Sequence, residues 1–144
     1  MNKKAFTLLE VLLVMTLISI LLVILTRLIN PAKQIAFINN SQRQADVFTI
    51  YTAINQYRDN NSGKSPVGIS TTSINICQPG CLETSSQIDI STELQPYISF
   101  GIIPIDPQNK NTAITGYSVY INNQGRIVVS ALLAEDGESI NTLE

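Results

Sequence analysis

At 144 residues the chain has the length of one ordinary domain, with 44% hydrophobic and 14% charged residues at a net charge of -2. It contains no histidine, which removes the commonest general base and metal ligand and, with them, Ser-His and Cys-His nucleophilic chemistry. The charges are scattered, and no basic run marks a nucleic-acid footprint.

Much of the hydrophobicity lies in residues 6–29, which leaves the remainder a rather polar domain. This run has no Gly or Pro, is dominated by Leu, and carries two charges, Glu10 and Arg27. It predicts a helix long enough for the about 20 residues that a bilayer core requires. Lys3 and Lys4 precede it; the positive-inside rule holds the N-terminus in the cytoplasm and sends the rest outward. Three readings compete. A cleaved secretory signal has an apolar region of about 7–15 residues followed by a small-residue site, whereas this run is longer and ends in Thr26-Arg27-Leu28-Ile29-Asn30-Pro31. A plain membrane anchor accounts for the length and the lysines but not for Glu10. A carboxylate in the apolar zone costs on the order of 2.5–3.5 kcal/mol at the helix centre and less near an end. The third reading gives Glu10 a partner.

Lys4-Ala5-Phe6-Thr7-Leu8-Leu9-Glu10-Val11-Leu12 resembles the class III signal of type IV prepilins and type II secretion pseudopilins. That family has a short basic leader, a small residue, then Phe-Thr-Leu-x-Glu opening a long apolar helix. The resemblance implies that prepilin peptidase cuts between Ala5 and Phe6, where the family usually has Gly before the cut, and methylates the new amine of Phe6. It implies a removed leader over residues 1–5, and a segment 6–30 that is first a membrane anchor and then filament core. Glu10 would neutralise the Phe6 amine of a neighbouring subunit. At ~4 Å and an effective dielectric near 20 such a pair attracts by about 4 kcal/mol before desolvation. One axial stagger satisfies it, so it sets register.

Pro31 predicts a break near Asn30. Helical composition then resumes to residue 60. The apolar positions 47, 50, 51 and 54, with Tyr57 following, form the stripe of a helix lying on a core. Asn39, Asn40 and Arg43 interrupt that stripe, so the first part of the helix is expected to protrude. Asn60-Asn61-Ser62-Gly63 ends it with a left-handed cap. Residues 61–111 read as loop with short elements, including one helical turn at Ser91-Thr92-Glu93-Leu94-Gln95-Pro96-Tyr97. Cys77-Gln78-Pro79-Gly80-Cys81 closes a tiny loop around a Pro-Gly turn. Outside the cytoplasm these two cysteines read as a disulfide, because a zinc site would need further ligands. Tyr117-Ser118-Val119-Tyr120-Ile121 and residues 126–133, joined by the turn Asn122-Asn123-Gln124-Gly125, read as an antiparallel hairpin over residues 116–134. A hairpin alone is marginal, and the stripe at residues 47–57 is the long apolar face it can cover. Asp106, Asp136 and Glu138 do not match a calcium loop and read as solvated acids, so no metal is assigned.

Later segments extend the resemblance. Ile103-Pro104-Ile105-Asp106-Pro107, then Gly116-Tyr117, then the strand pair ending Ala131-Leu132-Leu133-Ala134-Glu135 look like the C-terminal half of pseudopilins and small pilins. The expected fold is α+β: a long N-terminal helix, transmembrane at its start, packed against a small antiparallel sheet. Residues 31–144 would form an extracytoplasmic pilin-like domain. The expected function is a structural subunit of a type IV pilus-like filament, polymerised through its N-terminal helix. Its implied partners are further copies of itself, prepilin peptidase, the pilus or secretion assembly machinery and, before assembly, membrane lipid. The precursor would be a single-pass protein of the cytoplasmic membrane and the assembled form a surface filament. A secretion or competence pseudopilin is the alternative within the family; a membrane-anchored binding domain is the alternative outside it. No convergent acids, base or phosphate loop suggest an enzyme, and no cofactor is implied.

Overall fold

The computed structural model describes residues 6–28, 30–109 and 113–142; the expected leader, with Ala5, lies outside them. The chain divides into two compact units, Met1–Gln34 and Ile35–Glu144. The first contains helix α1, Leu8–Leu28. Helix α2, Pro31–Asn60, starts in this unit at Pro31, a position where the missing N–H of proline costs nothing. Asn30 stands outside the helix and caps it. Its carbonyl accepts from the Gln34 N–H at 3.3 Å and its side-chain Oδ1 from the Lys33 N–H at 3.4 Å. The break expected at Pro31 is therefore a fresh helix start.

In the second unit α2 continues to Asn60 and is followed by β1 (Ile74–Cys77), β2 (Gln87–Ile88), the single turn α3 (Ser91–Leu94), 3-10 turns over Gln95–Tyr97 and Ser99–Gly101, β3 (Ile114–Ile121) and β4 (Ile127–Ala131). Positive φ at Ser62 and Gly63 ends α2 in the left-handed cap the sequence predicts. The expected hairpin is β3–β4, antiparallel from Tyr117 opposite Ala131 to Ile121 opposite Ile127. Its second strand stops at Ala131, short of the expected Leu133, and Leu132 and Leu133 turn out toward solvent.

The sheet has four strands in the order β2-β1-β3-β4. It is mixed, which corrects the antiparallel expectation. Residues 78–86 carry the chain back to the start of β1, so β2 runs parallel to it, pairing Asn75 with Gln87 and Ile76 with Ile88. Two residues are too few to show any alternation in sequence. Val47, Ile50 and Ile54 of α2 meet Tyr117, Val119, Ile127 and Val129 of the hairpin, and Ile76, Ile90 and Leu94 complete the core. The stripe thus covers the hairpin as expected.

Two features of the periphery matter below. Beyond β4 the chain returns along its outer edge: the Ala131 N–H donates to the Ile140 carbonyl at 3.0 Å and the Thr142 N–H to the Val129 carbonyl at 3.2 Å, with Ile140 sunk into the core. On the turn after α3, Phe100 has a φ of +63°, a left-handed conformation that costs a bulky residue roughly 1–3 kcal/mol, yet its side chain is 97% exposed.

Candidate functional site

In α1, Thr7 is the N-cap: its Oγ1 accepts from the Glu10 N–H at 3.2 Å, and its carbonyl from the N–H groups of Glu10 and Val11. Glu10 is thereby the third residue of the helix, the Thr-x-x-Glu spacing of a capping box. A carboxylate in the first turn is favoured by the helix dipole by about 0.3–1 kcal/mol, which offsets part of its insertion cost. The sequence reading gave Glu10 only an intermolecular role; Thr7, three residues before a Glu, was the signal for this local one.

Past that cap every described side chain from Phe6 to Leu25 is exposed. The stretch Leu8–Leu25 is long and apolar enough to cross a membrane, and none of it is buried among the described residues. Its hydroxyls are satisfied locally, Thr16 donating to the Leu13 carbonyl at 2.7 Å and Ser19 to the Met15 carbonyl at 2.8 Å, as a lipid-facing helix requires. A helix apolar all round must be covered by lipid or by other helices. The Glu10 carboxylate has no hydrogen-bond or ion-pair partner among the described residues. Of the residues expected to act in processing and assembly, Phe6 and Glu10 thus stand exposed at the start of this helix, and Ala5 falls outside the description.

In the second unit, Cys77 at the buried end of β1 is joined to Cys81 in a disulfide, with Cα atoms 6.1 Å apart. Asp89 steadies the loop between them by accepting from the Gly80 N–H at 2.9 Å. Burial pushes the Asp89 carboxyl up, but donors from Ser91 and Gly80 outweigh it and hold it below the usual carboxylate range.

The polar interruption of the α2 stripe is not a protruding segment, which corrects the sequence reading. Ala36, Asn40, Arg43 and Asp46 are all buried. Arg43 spends all five of its N–H donors. Nε and Nη2 grip Asp106 at 2.6 and 3.1 Å, Nη1 reaches Glu135 at 2.9 Å and Asn40 at 2.8 Å, and Nη2 also reaches Gln108 at 3.3 Å. Asp106, expected to be solvated, is as buried as Arg43. Glu138 and Asp136 are both exposed as expected, Glu138 also accepting from the Asn40 amide at 2.9 Å. The Asp106 hydrogen bond, reinforced by Glu135, raises the Arg43 pKa against the pull of burial. The Asn39 amide and the Arg43 guanidinium hold Glu135 below its ordinary value. Beside this cluster the Tyr117 hydroxyl donates to Asp46 at 2.6 Å; burial and that carboxylate push the phenol upward. Every acid at the centre is engaged by a donor, and among the described residues no group of three or more His, Cys, Asp or Glu is placed to hold a metal ion. The arrangement ties three segments of chain together.

Residues 1–26 match the prokaryotic N-terminal methylation motif, the class III signal of type IV pilins and pseudopilins. That motif points to a structural protein and a membrane-anchored precursor. No curated protein and no solved structure is matched by the chain.

Proposed function

We propose that the chain is a structural subunit of a type IV pilus-like filament. In this reading prepilin peptidase removes residues 1–5 and methylates the Phe6 amine, and copies polymerise by packing α1 against α1. The observation that carries it is an N-terminal methylation motif placed on a helix whose described apolar side chains, Leu8 to Leu25, are all exposed. Glu10 supports the register role. Its carboxylate lies one helical turn from Phe6 and finds no partner among the described residues, so the Phe6 amine of the next subunit is the cation it lacks. A secretion or competence pseudopilin uses the same N-terminal chemistry and is the second reading that the motif favours.

The test is Glu10→Leu, expressed as the sole copy, with membrane and sheared surface fractions blotted and their intact masses measured. Insertion and cleavage persist, since a charge is removed from the apolar zone and the cut lies five residues upstream. Filament is lost, because a buried amine without its counter-charge costs about 3–5 kcal/mol at every subunit. Normal amounts of filament from Glu10→Leu, or subunits that still begin at Met1, would refute the reading.

A further inference from the structure

Phe100 makes no sense for the isolated chain. A phenyl ring stands 97% exposed on a backbone held at a φ of +63°, two unfavourable choices at one position. The turn that presents it is firmly built. Ile98 and Ile103 on either side are buried in the core, the Gly101 N–H donates to the Ile98 carbonyl at 2.9 Å, and Gly101 lies so close to Gln95 that a Cβ there would stand 2.8 Å from its Cγ. Ile102, next in sequence, is also exposed. The segment Ser99-Phe100-Gly101-Ile102 is therefore an uncharged, preorganised apolar knob, the form that binding anchors take.

A hole of matching chemistry lies elsewhere on the same domain. Between α2 and the returning C-terminal segment is an open groove of about 460 Å³, in the range of pockets that enclose a small apolar group. Val47, Tyr51 and Ile140 floor it, and exposed Phe48 forms part of its wall. Gln44, Ser139 and Thr142 rim it with neutral polar groups, the surround that shields an apolar anchor from water. Knob and hole cannot meet within one chain. Tyr97, just before the knob, packs edge-on against Tyr57 with ring centroids 6.1 Å apart. Tyr57 follows Phe48 by nine residues, about two and a half turns, so the two point to opposite flanks of α2.

We propose that the Phe100 knob of one copy docks into the groove between α2 and the C-terminal segment of the next copy. Complementary surfaces on opposite flanks make a head-to-tail contact, the kind that propagates from copy to copy and, in a filament, runs on as an open helical array. The contact rests on the filament reading above and adds a second attachment, outside the α1 bundle, that locks the rotation of successive globular domains.

The decisive experiment joins Ser99→Cys, on the exposed flank of the knob, with Gln44→Cys in the full chain, keeping Phe100 in place, oxidises both membrane and sheared fractions, and separates them without reduction. The expected result is a ladder extending past dimer, with neither single replacement going beyond dimer. Bands that stop at dimer show a closed two-fold contact and overturn the proposal, as does the absence of cross-links in both fractions. Filament without a ladder sinks the docking alone. A ladder in membranes without filament leaves the docking standing and sinks the proposed function. Phe100→Gly is the companion variant. Glycine accepts the left-handed backbone, so the thermal midpoint holds or rises while the yield of sheared filament falls about tenfold or more. Unchanged yield, or a midpoint that falls together with it, overturns the docking role.

Discussion

Replacing Arg43 with Met keeps most of the apolar stem that packs in the interior and removes only the guanidinium. The structure sets the consequence. Arg43 and Asp106 side chains are both fully buried, and the two hydrogen bonds between them, at 2.6 and 3.1 Å, disappear with the cation. Asp106 is left with the Gln108 backbone N–H at 2.9 Å, while Asn40 and Glu135 each lose a donor. Stranding one member of a buried pair costs about 3–5 kcal/mol, against a total domain stability of about 5–15 kcal/mol. With a urea slope of about 1.5–2 kcal/mol/M, the unfolding midpoint drops by about 1.5–3 M. The assay is urea unfolding of the full chain in detergent, followed by near-ultraviolet circular dichroism of its tyrosines, Tyr117 among them. The double variant Arg43→Met/Asp106→Leu should recover most of the loss, because an apolar pair needs no compensation in the interior. A loss below about 1 kcal/mol for Arg43→Met alone, or no recovery in the double variant, would refute the clamp.

Three further outcomes follow from the same geometry. Glu135 has a depressed carboxyl in the folded chain, so its contribution is present above its ordinary value of 4.5 and is lost as pH falls through the lower folded value; Glu135→Gln should flatten the acid limb of the unfolding midpoint measured from about pH 6 to pH 3. Gly116→Ala should destabilise the domain, since Gly116 has a φ of +92° and a Cβ there would sit 2.7 Å from the Asp106 Cβ, and loss of the Arg43–Asp106 pair would show as a double-variant cost with Arg43→Met smaller than the sum of the singles. Cys77→Ser should lower stability by only about 2 kcal/mol, because the disulfide closes so short a loop, and alkylation of the unreduced parent protein should label neither cysteine.

The elements that could be read from sequence are those whose pattern is long and local. The apolar run of α1, the stripe at residues 47–57 and the Tyr117–Ile121 alternation each repeat a period over enough residues to identify themselves. The strands β1 and β2 do not, at four and two residues. β1 is a strand because β3 offers it an edge about forty residues further along the chain, and β2 because β1 then offers it the other. The Arg43 cluster was hidden for a related reason. Asn40, Arg43 and Asp46 recur at a spacing of three on one helix face, the mark of a polar patch turned inward. Their partners Asp106 and Glu135 stand 63 and 92 residues away, and only the fold says which acids come back. At the N-terminus the motif is legible in full, and the Thr7 cap is written there too, in the Thr-x-x-Glu spacing that the apolar run surrounds.

The pairing of residues 140–142 along the outer side of β4 bears on how safely such a chain can be concentrated. An unpaired strand edge recruits any other strand, and the product is cross-β aggregate. At one end of this sheet the edge strand is only two residues long, and at the other residues 140–142 occupy the Ala131 N–H and both the N–H and the carbonyl of Val129. Under the proposed function, precursors crowd together in a membrane before they are drawn into a filament, their folded domains brushing past one another at high local density. Sealed edges let that reservoir fill without seeding fibres of the wrong kind, so that copies meet through side chains and helices, and the backbone takes no part in recognition.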